Sequence, residues 1–146
     1  MKHGMIMSDG ALTELQEGEA LKLVGYLDGG GVPTNGWGHT GPDVWKGQKI
    51  TREQAVTWLR ADLADVYRAI DKFVKVKLTQ GQFDSIADFT FNLGAGQLEK
   101  STLLSRLNAG DYVGASQELV RWLYDNGKLV RGLAKRRGRE FIRWYS

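Results

Sequence analysis

The chain has 146 residues, of which 42% are apolar and 25% are charged, the balance of a folded globular protein rather than a disordered one. This length is enough for one compact domain or for two small lobes that share a helix. The absence of cysteine excludes disulfides, thiolate metal sites and a cysteine nucleophile, and the net charge of +3 favours polyanionic partners.

The first third of the chain predicts one helix and then a glycine-rich β segment. Ser8 and Asp9 are typical helix N-caps, and the periodic pattern that follows them runs to about Val24. Residues 26–40 are rich in glycine, which breaks helices, and the Tyr, Val, Thr and Trp residues between the glycines suit strands. We therefore expect a small irregular β-hairpin or meander in this segment.

Two longer helices are predicted next. Thr51 with Gln54, and Thr79 with Gln82, have the spacing of capping boxes, and a helical pattern of apolar residues follows each pair. The first pattern consists of Ala55, Trp58, Leu59, Leu63, Val66, Ile70 and Phe73. The second carries apolar residues on every face, which predicts a helix that is buried all round.

Three shorter helices are predicted after residue 100. Ser101 or Thr102 is expected to cap the first, and Asp111 the second. The predicted ranges are 102–107, 112–124 and 133–145.

These elements indicate an α+β fold that is mostly helical. We expect a single two-lobed domain with a small N-terminal β-containing lobe at about residues 18–50, a long connecting helix at about 52–72 and a helical C-terminal lobe at about 79–146. Two lobes on one helix leave a groove between them, and a groove suits a long polymer.

Glu19 is the first candidate for a catalytic role. Cleavage of a glycosidic bond usually requires one carboxyl group that protonates the leaving oxygen and a second that activates water or stabilises positive charge. The first must stay protonated, which favours a partly apolar setting. On a helical projection one narrow stripe, with Glu19 near its middle, contains Leu12, Leu15, Glu19, Leu23 and Tyr26, whereas Glu17 points to the opposite side. Glu19 is therefore the better acid of the two.

Asp28 and Thr34 are the other candidates. Both lie in the glycine-rich segment, where a scaffold can aim short side chains into a cleft. The alternative is structural, because an Asp before glycines is often a turn residue and a strand Thr often has no chemical role.

The spacing of these three residues, followed by GWGHT at residues 36–40, resembles the active-site segment of the phage-type lysozymes, glycoside hydrolase family 24. The resemblance covers nearly the whole chain. The later blocks GQKITREQA, LTQGQFDSIADFTFNLG, STLLSRLNAGDY and GLAKRRGREFIRW are similar to those of the family, in the same order.

Two positions depart from the family pattern. The family usually has Gly after its catalytic Glu, whereas Ala20 follows Glu19, and the Glu-Gly dipeptide occupies residues 17–18. The distance to Asp28 favours Glu19, in agreement with the helical projection. The second departure is Asn35, which stands where the family usually has Ile.

The resemblance implies a lysozyme-like fold and hydrolysis, with net inversion, of the β-1,4 bond between N-acetylmuramic acid and N-acetylglucosamine in peptidoglycan. Glu19 would be the general acid, Asp28 would orient or activate a water, and Thr34 would help to hold that water. An inverting mechanism places the two carboxyl groups roughly 6.5–9.5 Å apart. The resemblance implies no cofactor and no metal.

Three further residues match positions of the family that contact the substrate: Thr40, Phe91 and Thr102. Phe91 also fits the buried pattern of its helix, and Thr102 also fits a helix cap, so structural roles remain open for both.

Two other features have a functional and a structural interpretation. The family places an arginine near its catalytic Glu, and Arg136 or Arg137 is the candidate here. His39 is expected to be held by hydrogen bonds in a tight turn rather than to bind a metal or act as a base, since His3 is the only other histidine.

The sequence thus predicts a phage endolysin that acts as a monomer on glycan strands, without binding nucleic acid or inserting stably into a membrane. It shows no apolar run of the length of a signal peptide, so we expect accumulation in the host cytoplasm and release to the wall through a holin lesion. The alternatives are a non-catalytic wall-binding module, a lytic transglycosylase, and a nucleic-acid-binding protein that uses the basic C-terminal segment.

Overall fold

The computed structural model describes residues 1–146. The helices are α1 (Asp9–Glu19), α2 (Arg52–Phe73), α3 (Gln80–Leu93), α4 (Ala95–Lys100), α5 (Thr102–Asn108), α6 (Tyr112–Gln117), a 3₁₀ helix (Glu118–Arg121) and α7 (Arg131–Trp144). The strands are β1 (Lys22–Leu27), β2 (Pro33–Gly36), β3 (His39–Thr40), β4 (Tyr124–Asp125) and β5 (Lys128–Leu129). The predicted α+β class is confirmed. None of the helices combines the length and the apolar character that a bilayer-spanning segment requires.

The chain forms two compact units, here called the β unit (residues 12–65) and the helical unit (residues 1–11 and 66–146). In the β unit, three antiparallel strands follow one another in the order β1-β2-β3. Tyr26 of β1 is paired with Thr34 of β2, and Thr34 is paired with Thr40 of β3. The predicted β meander is therefore present, although its first strand begins earlier than expected.

The first helix is shorter than the sequence predicted. It ends at Glu19 rather than near Val24, and residues 22–27 form a strand instead. The apolar residues at 21, 23 and 24 continue a helical period, but pairing with β2 decides the outcome. Projection of residues beyond Glu19 onto a helix was therefore wrong.

The segment after Asp111 also differs from its prediction. Asp111 does cap a helix, since its Oδ1 accepts the N–H of Gly114 at 2.8 Å, but α6 ends at Gln117. The strands β4 and β5 follow, and the two residues between them, Asn126 and Gly127, both have positive φ angles, 50° and 76°. An Asn-Gly pair is a strong hairpin signal, because both residues tolerate the left-handed conformation of a two-residue turn. This signal was present in the sequence and was overlooked.

The third helix has the predicted cap and the predicted burial. The N–H of Gln82 donates to Oγ1 of Thr79 at 3.1 Å, and the N–H of Thr79 donates to Oε1 of Gln82 at 2.9 Å, which completes a capping box. Residues 83–90 are buried without interruption, and α3 packs against α7. This pair of helices forms the core of the helical unit.

Four ionisable side chains are buried where α3 meets α7. Arg136 donates two hydrogen bonds to the carboxylate of Asp88, at 2.9 and 3.0 Å. Nη2 of Arg137 donates to Oε2 of Glu140 at 2.9 Å and to Oδ1 of Asn92 at 2.7 Å. Burial raises the pKa of Glu140 well above its usual value, and the neighbouring Asp88 raises it further against the effect of Arg137. Burial acts in the same direction on Asp88, but hydrogen bonds from Glu140 and Arg136 leave the pKa of Asp88 below its usual value.

We expect Glu140→Gln to remove part of the pH dependence of stability. Because the pKa of Glu140 is raised in the folded state, the folded chain keeps a proton that the unfolded chain releases above about pH 4.5. The free energy of unfolding of the parent protein therefore falls as the pH rises through the folded pKa, by up to about 1.4 kcal/mol per pH unit. The amide of the variant does not titrate, so this slope should be lost.

Urea unfolding at a series of pH values from about 4 to 8 measures the slope. Glu99→Gln, at an exposed position of α4, is the matched control and should keep the slope of the parent. An identical slope in the parent and in Glu140→Gln would contradict the prediction.

Candidate active site

Glu19 is the last residue of α1, and its carboxylate lies against Gly38 in the turn between β2 and β3. A Cβ atom added at Gly38 would be 2.5 Å from Oε2 of Glu19, so the carboxylate occupies the space that only a glycine leaves open. Glu19 is half-buried, whereas Glu17 is exposed. Of the two glutamates that the sequence offered, Glu19 is therefore the one that lies against the β meander.

Ala20, which follows Glu19, has a left-handed backbone conformation with φ of 52°. Its N–H donates to the carbonyl of Gln16 at 3.0 Å, at the point where α1 ends. Glycine adopts this conformation freely, whereas other residues pay about 1–2 kcal/mol for it. A glycine after the catalytic Glu of the family thus has a structural reason, and this reason applies at residue 20 and supports the alignment on Glu19.

We expect Ala20→Gly to raise the free energy of unfolding by about 1 kcal/mol, because it relieves a left-handed alanine. The matched control is Ala61→Gly, at an exposed position inside α2, where the same substitution should lower stability by about 1 kcal/mol. Thermal or urea unfolding measures both variants. Destabilisation of equal size in the two variants would show that residue 20 carries no backbone strain.

Asp28 follows β1 and fixes the loop that leads to β2. Its Oδ1 accepts the N–H of Gly30 and the N–H of Val32, each at 2.8 Å, and its own N–H donates to the carbonyl of Val32 at 3.0 Å. Asp28 therefore does have the structural role in a turn that the sequence left open. This role uses only Oδ1 of its carboxylate. The residue is exposed, and Oδ2 makes no hydrogen bond within the protein.

Thr34 is the central residue of a row across the sheet, with Tyr26 on one side and Thr40 on the other. Paired residues of adjacent strands project from the same face, so these three side chains are neighbours. Thr34 is buried, and its hydroxyl donates to the carbonyl of Val32 at 2.9 Å. Its oxygen lone pairs are therefore the part of the hydroxyl that remains to receive a hydrogen bond.

Tyr26 is a residue of this site to which the sequence analysis assigned no role. Burial raises the pKa of the Tyr26 hydroxyl, and the negative charges of Glu19 and Asp28 raise it further. Both carboxylates thus lie close enough to act on one hydroxyl group. A signal was available, because Tyr26 and Asp28 have the Tyr-x-Asp spacing of the segment that resembles the family.

His39 is held by two carboxylates and a tryptophan, as the sequence predicted for a structural histidine. Nδ1 is 2.8 Å from Oδ2 of Asp62, and Nε2 is 3.1 Å from Oδ1 of Asp43. The ring stacks on Trp58 with a centroid separation of 4.4 Å. Burial raises the pKa of Asp62, partly offset by its hydrogen bond with His39. These contacts join β3, the 43–48 segment and α2.

The other predicted site residues belong to the helical unit. Phe91 is half-buried near the end of α3, and Thr102 is exposed as the first residue of α5. The cap of α5 is Ser101, whose Oγ accepts the N–H of Leu104 at 3.0 Å, so Thr102 is not needed as a cap. Arg136 and Arg137 are the buried partners of Asp88 and Glu140 described above, and the pairing of either arginine with Glu19 stays a prediction.

Comparisons with known proteins place this geometry in one family. The chain matches the family model described as phage lysozyme over residues 16–140. It is 41% identical over 140 residues to an endolysin of Acyrthosiphon pisum secondary endosymbiont phage 1, which covers 93% of this chain and 95% of that protein. It is 38% identical over 141 residues to an endolysin of Bacillus phage B103, covering 93% of this chain and 52% of the relative, so it spans about half the length of that protein.

Solved structures lead to the same family. An endolysin from Escherichia coli O157:H7 phage FAHEc1 superimposes with a TM-score of 0.85 at 35% identity, covering 99% of this chain and 96% of that one. The family model, the identity to relatives and the shared fold agree over most of the sequence. The chain therefore belongs to the phage lysozyme family and is a glycoside hydrolase of the lysozyme type.

Proposed function

We propose that this protein hydrolyses the β-1,4 bond between N-acetylmuramic acid and N-acetylglucosamine in peptidoglycan, with net inversion, and that Glu19, Asp28 and Thr34 carry the reaction. The observation that supports this proposal most directly is the hydrogen bonding of Asp28 and Thr34. Each side chain is anchored to the loop through Val32 and keeps an oxygen that can only accept a hydrogen bond.

Two acceptors are what a nucleophilic water requires. A water that donates one hydrogen to Oδ2 of Asp28 and the other to Oγ1 of Thr34 has both hydrogens engaged, and its lone pairs point away from the protein. Asp28 takes the proton of the water as the new C–O bond forms, which is the general-base role of an inverting glycosidase. Because the hydroxyl hydrogen of Thr34 is used on Val32, Thr34 cannot compete as a donor.

Glu19 supplies the proton that the leaving sugar oxygen needs. Its carboxyl group is half-buried and packed against Gly38, which restricts the orientations that the side chain can adopt. A carboxyl group with few accessible orientations stays near the position from which it can donate its proton. Both this placement and the acidity of the group contribute to the rate.

The water-binding pair also separates hydrolysis from the action of a lytic transglycosylase, which forms its product by internal attack and consumes no water. Mass spectrometry of the fragments released from purified peptidoglycan tests the proposal. Hydrolysis gives N-acetylmuramic acid with a free reducing end, whereas transglycosylation gives the 1,6-anhydro form of that sugar, which is lighter by one water. The anhydro product would overturn the proposal, and the absence of any released fragment would favour a non-catalytic wall-binding module.

Substrate contacts outside the reacting centre are proposed for Thr40, Phe91 and Thr102. Thr40 is the best supported, since it is exposed and lies beside Thr34 in the same row of the sheet. Thr40→Val keeps the shape of the side chain and removes its hydroxyl, so a rise in KM with unchanged kcat is the result that a binding role requires.

We further propose that the protein acts as a monomer on glycan strands, binds no nucleic acid, and reaches the wall through a holin lesion. The name endolysin, which its relatives carry, supports the glycan substrate among these proposals. Fractionation of bacteria that express the protein with and without a holin tests the last step. Lysis without a holin would contradict it.

A further inference from the structure

Asn35 is a buried amide in the middle of the active-site sheet, next to Thr34 in the chain. Its side chain is fully buried, whereas the family usually has an apolar residue here. Nδ2 donates to the backbone carbonyl of Gln48 at 3.1 Å, and Oδ1 accepts the N–H of Gly36 at 2.9 Å. A buried amide is costly unless it is hydrogen-bonded, so this residue is paired on both of its polar atoms.

Gln48 is the second member of the bridge and is also buried. Its backbone carbonyl accepts the N–H of Gly25 at 2.7 Å in addition to the amide of Asn35. Its side chain donates from Nε2 to the carbonyl of Asp43 at 2.9 Å. One residue therefore connects β1, β2 and the segment that begins at Asp43.

The bridge lies where the sheet itself is interrupted. The register of β1 and β2 shifts between Lys22 and Tyr26, so Gly25 lacks a regular partner on β2. The backbone of Gly25 pairs with residues 47–48, since its N–H donates to the carbonyl of Gln48 at 2.7 Å and its carbonyl accepts the N–H of Gly47 at 2.8 Å. The amide of Asn35 donates to the same carbonyl of Gln48, so the side chain adds a link between β2 and the backbone segment that pairs with β1.

Both strands lead directly to the proposed water site. Asp28 directly follows β1, three residues after Gly25. Thr34 lies on β2, immediately before Asn35. We propose that Asn35 and Gln48 are positioning residues for hydrolysis, because their buried bridge sets the separation at which Asp28 and Thr34 hold one water. This inference rests on the function proposed above and adds two residues that act through Thr34 and Asp28 without touching substrate.

The test is Asn35→Leu, which keeps approximately the size of the side chain and removes both hydrogen bonds. Rates are measured on soluble uncross-linked glycan strands, at a temperature where circular dichroism shows each variant to be folded. We expect kcat to fall about 10-fold or more, since small displacements of reacting groups are costly, while KM stays close to that of the parent. Gln48→Leu keeps the backbone carbonyl that accepts the Asn35 amide and removes the side-chain bond to Asp43, so it should lower kcat less than Asn35→Leu does.

Asn108→Leu is the matched control. In the helical unit, Nδ2 of Asn108 donates to the carbonyl of Phe73 at 2.9 Å, and its Oδ1 accepts the N–H of Lys75 at 2.7 Å. The same substitution therefore removes two similar bonds at a place with no role in the proposed chemistry. It should lower stability and leave kcat unchanged.

A double-mutant cycle with Thr34→Ala identifies the step at which the bridge acts. If Asn35 acts through Thr34, the double variant has the kcat of Thr34→Ala alone. Parental kcat in folded Asn35→Leu, or additive losses in the cycle, would overturn the inference. If Thr34→Ala itself keeps the parental kcat, the proposed water site fails as well, so the two failures are distinguishable.

Discussion

Replacing Glu19 by glutamine is expected to reduce the rate of peptidoglycan hydrolysis by about 10²–10⁴-fold, the usual contribution of a general acid, and to leave the fold unchanged. The amide has the shape of the carboxyl group, so it fills the same space beside Gly38. It does not protonate the leaving sugar oxygen. The loss should appear in kcat, because the substituted group acts in the transition state.

Glu17→Gln is the matched control for this experiment. Glu17 is an exposed residue of the same helix, two positions earlier, and it is the residue that alignment on the Glu-Gly dipeptide would select. Turbidity loss of cell-wall suspensions and release of reducing ends measure both variants. A large loss in Glu17→Gln together with parental activity in Glu19→Gln would reverse the assignment.

The second large effect is expected from Gly38→Ala. The φ angle of residue 38 is 72°, and the new methyl group would be 2.5 Å from Oε2 of Glu19. The glutamate must therefore move, and a displacement of about 1 Å in a reacting group can reduce the rate by about 10²-fold. The left-handed conformation adds a loss of stability of about 1–2 kcal/mol.

Gly110→Ala is the control that separates the loss of activity from the loss of stability. Residue 110 also has a positive φ angle, 82°, but an added Cβ there has no neighbour within 4 Å. Both variants should lose stability to a similar extent, and only Gly38→Ala should lose activity, as measured by kcat at a temperature where each is folded. Equal activity of the two variants would show that the contact between Gly38 and Glu19 has no part in catalysis.

Capping patterns predicted helices reliably, since a cap is a local interaction that four neighbouring residues complete by themselves. The pair Thr79 and Gln82 makes both of the bonds that the sequence implied, and Ser101 and Asp111 each cap the helix that follows. The ends of helices were less predictable. Residues 20–24 continue a helical period, yet a left-handed Ala20 and pairing with β2 end the helix at Glu19.

The candidate site was also predicted only in part, because local spacing is visible in the sequence and tertiary pairing is not. Spacing along the chain selected Glu19, Asp28 and Thr34, and their roles remain proposals that the geometry supports. Spacing put Tyr26 two residues before Asp28 but assigned it no role, and the influence of both carboxylates on its hydroxyl follows from the tertiary structure. Spacing also gave no explanation for Asn35. Its side-chain amide donates to the carbonyl of Gln48, which lies 13 positions away in the chain.

By itself, the sequence determined the family, the starts of the capped helices α3, α5 and α6, and the identity of the candidate reacting groups, since these follow from residue type and from spacing over a few positions. It did not predict α4 or the start of α7 at Arg131, and neither helix has a side-chain cap. Only the tertiary structure decided which glutamate lies against the β meander, which oxygens of Asp28 and Thr34 stay available, and what bridges the interrupted sheet. Hydrogen bonds and close packing act over a few ångströms in space, and the residues that meet in this way are far apart in the chain.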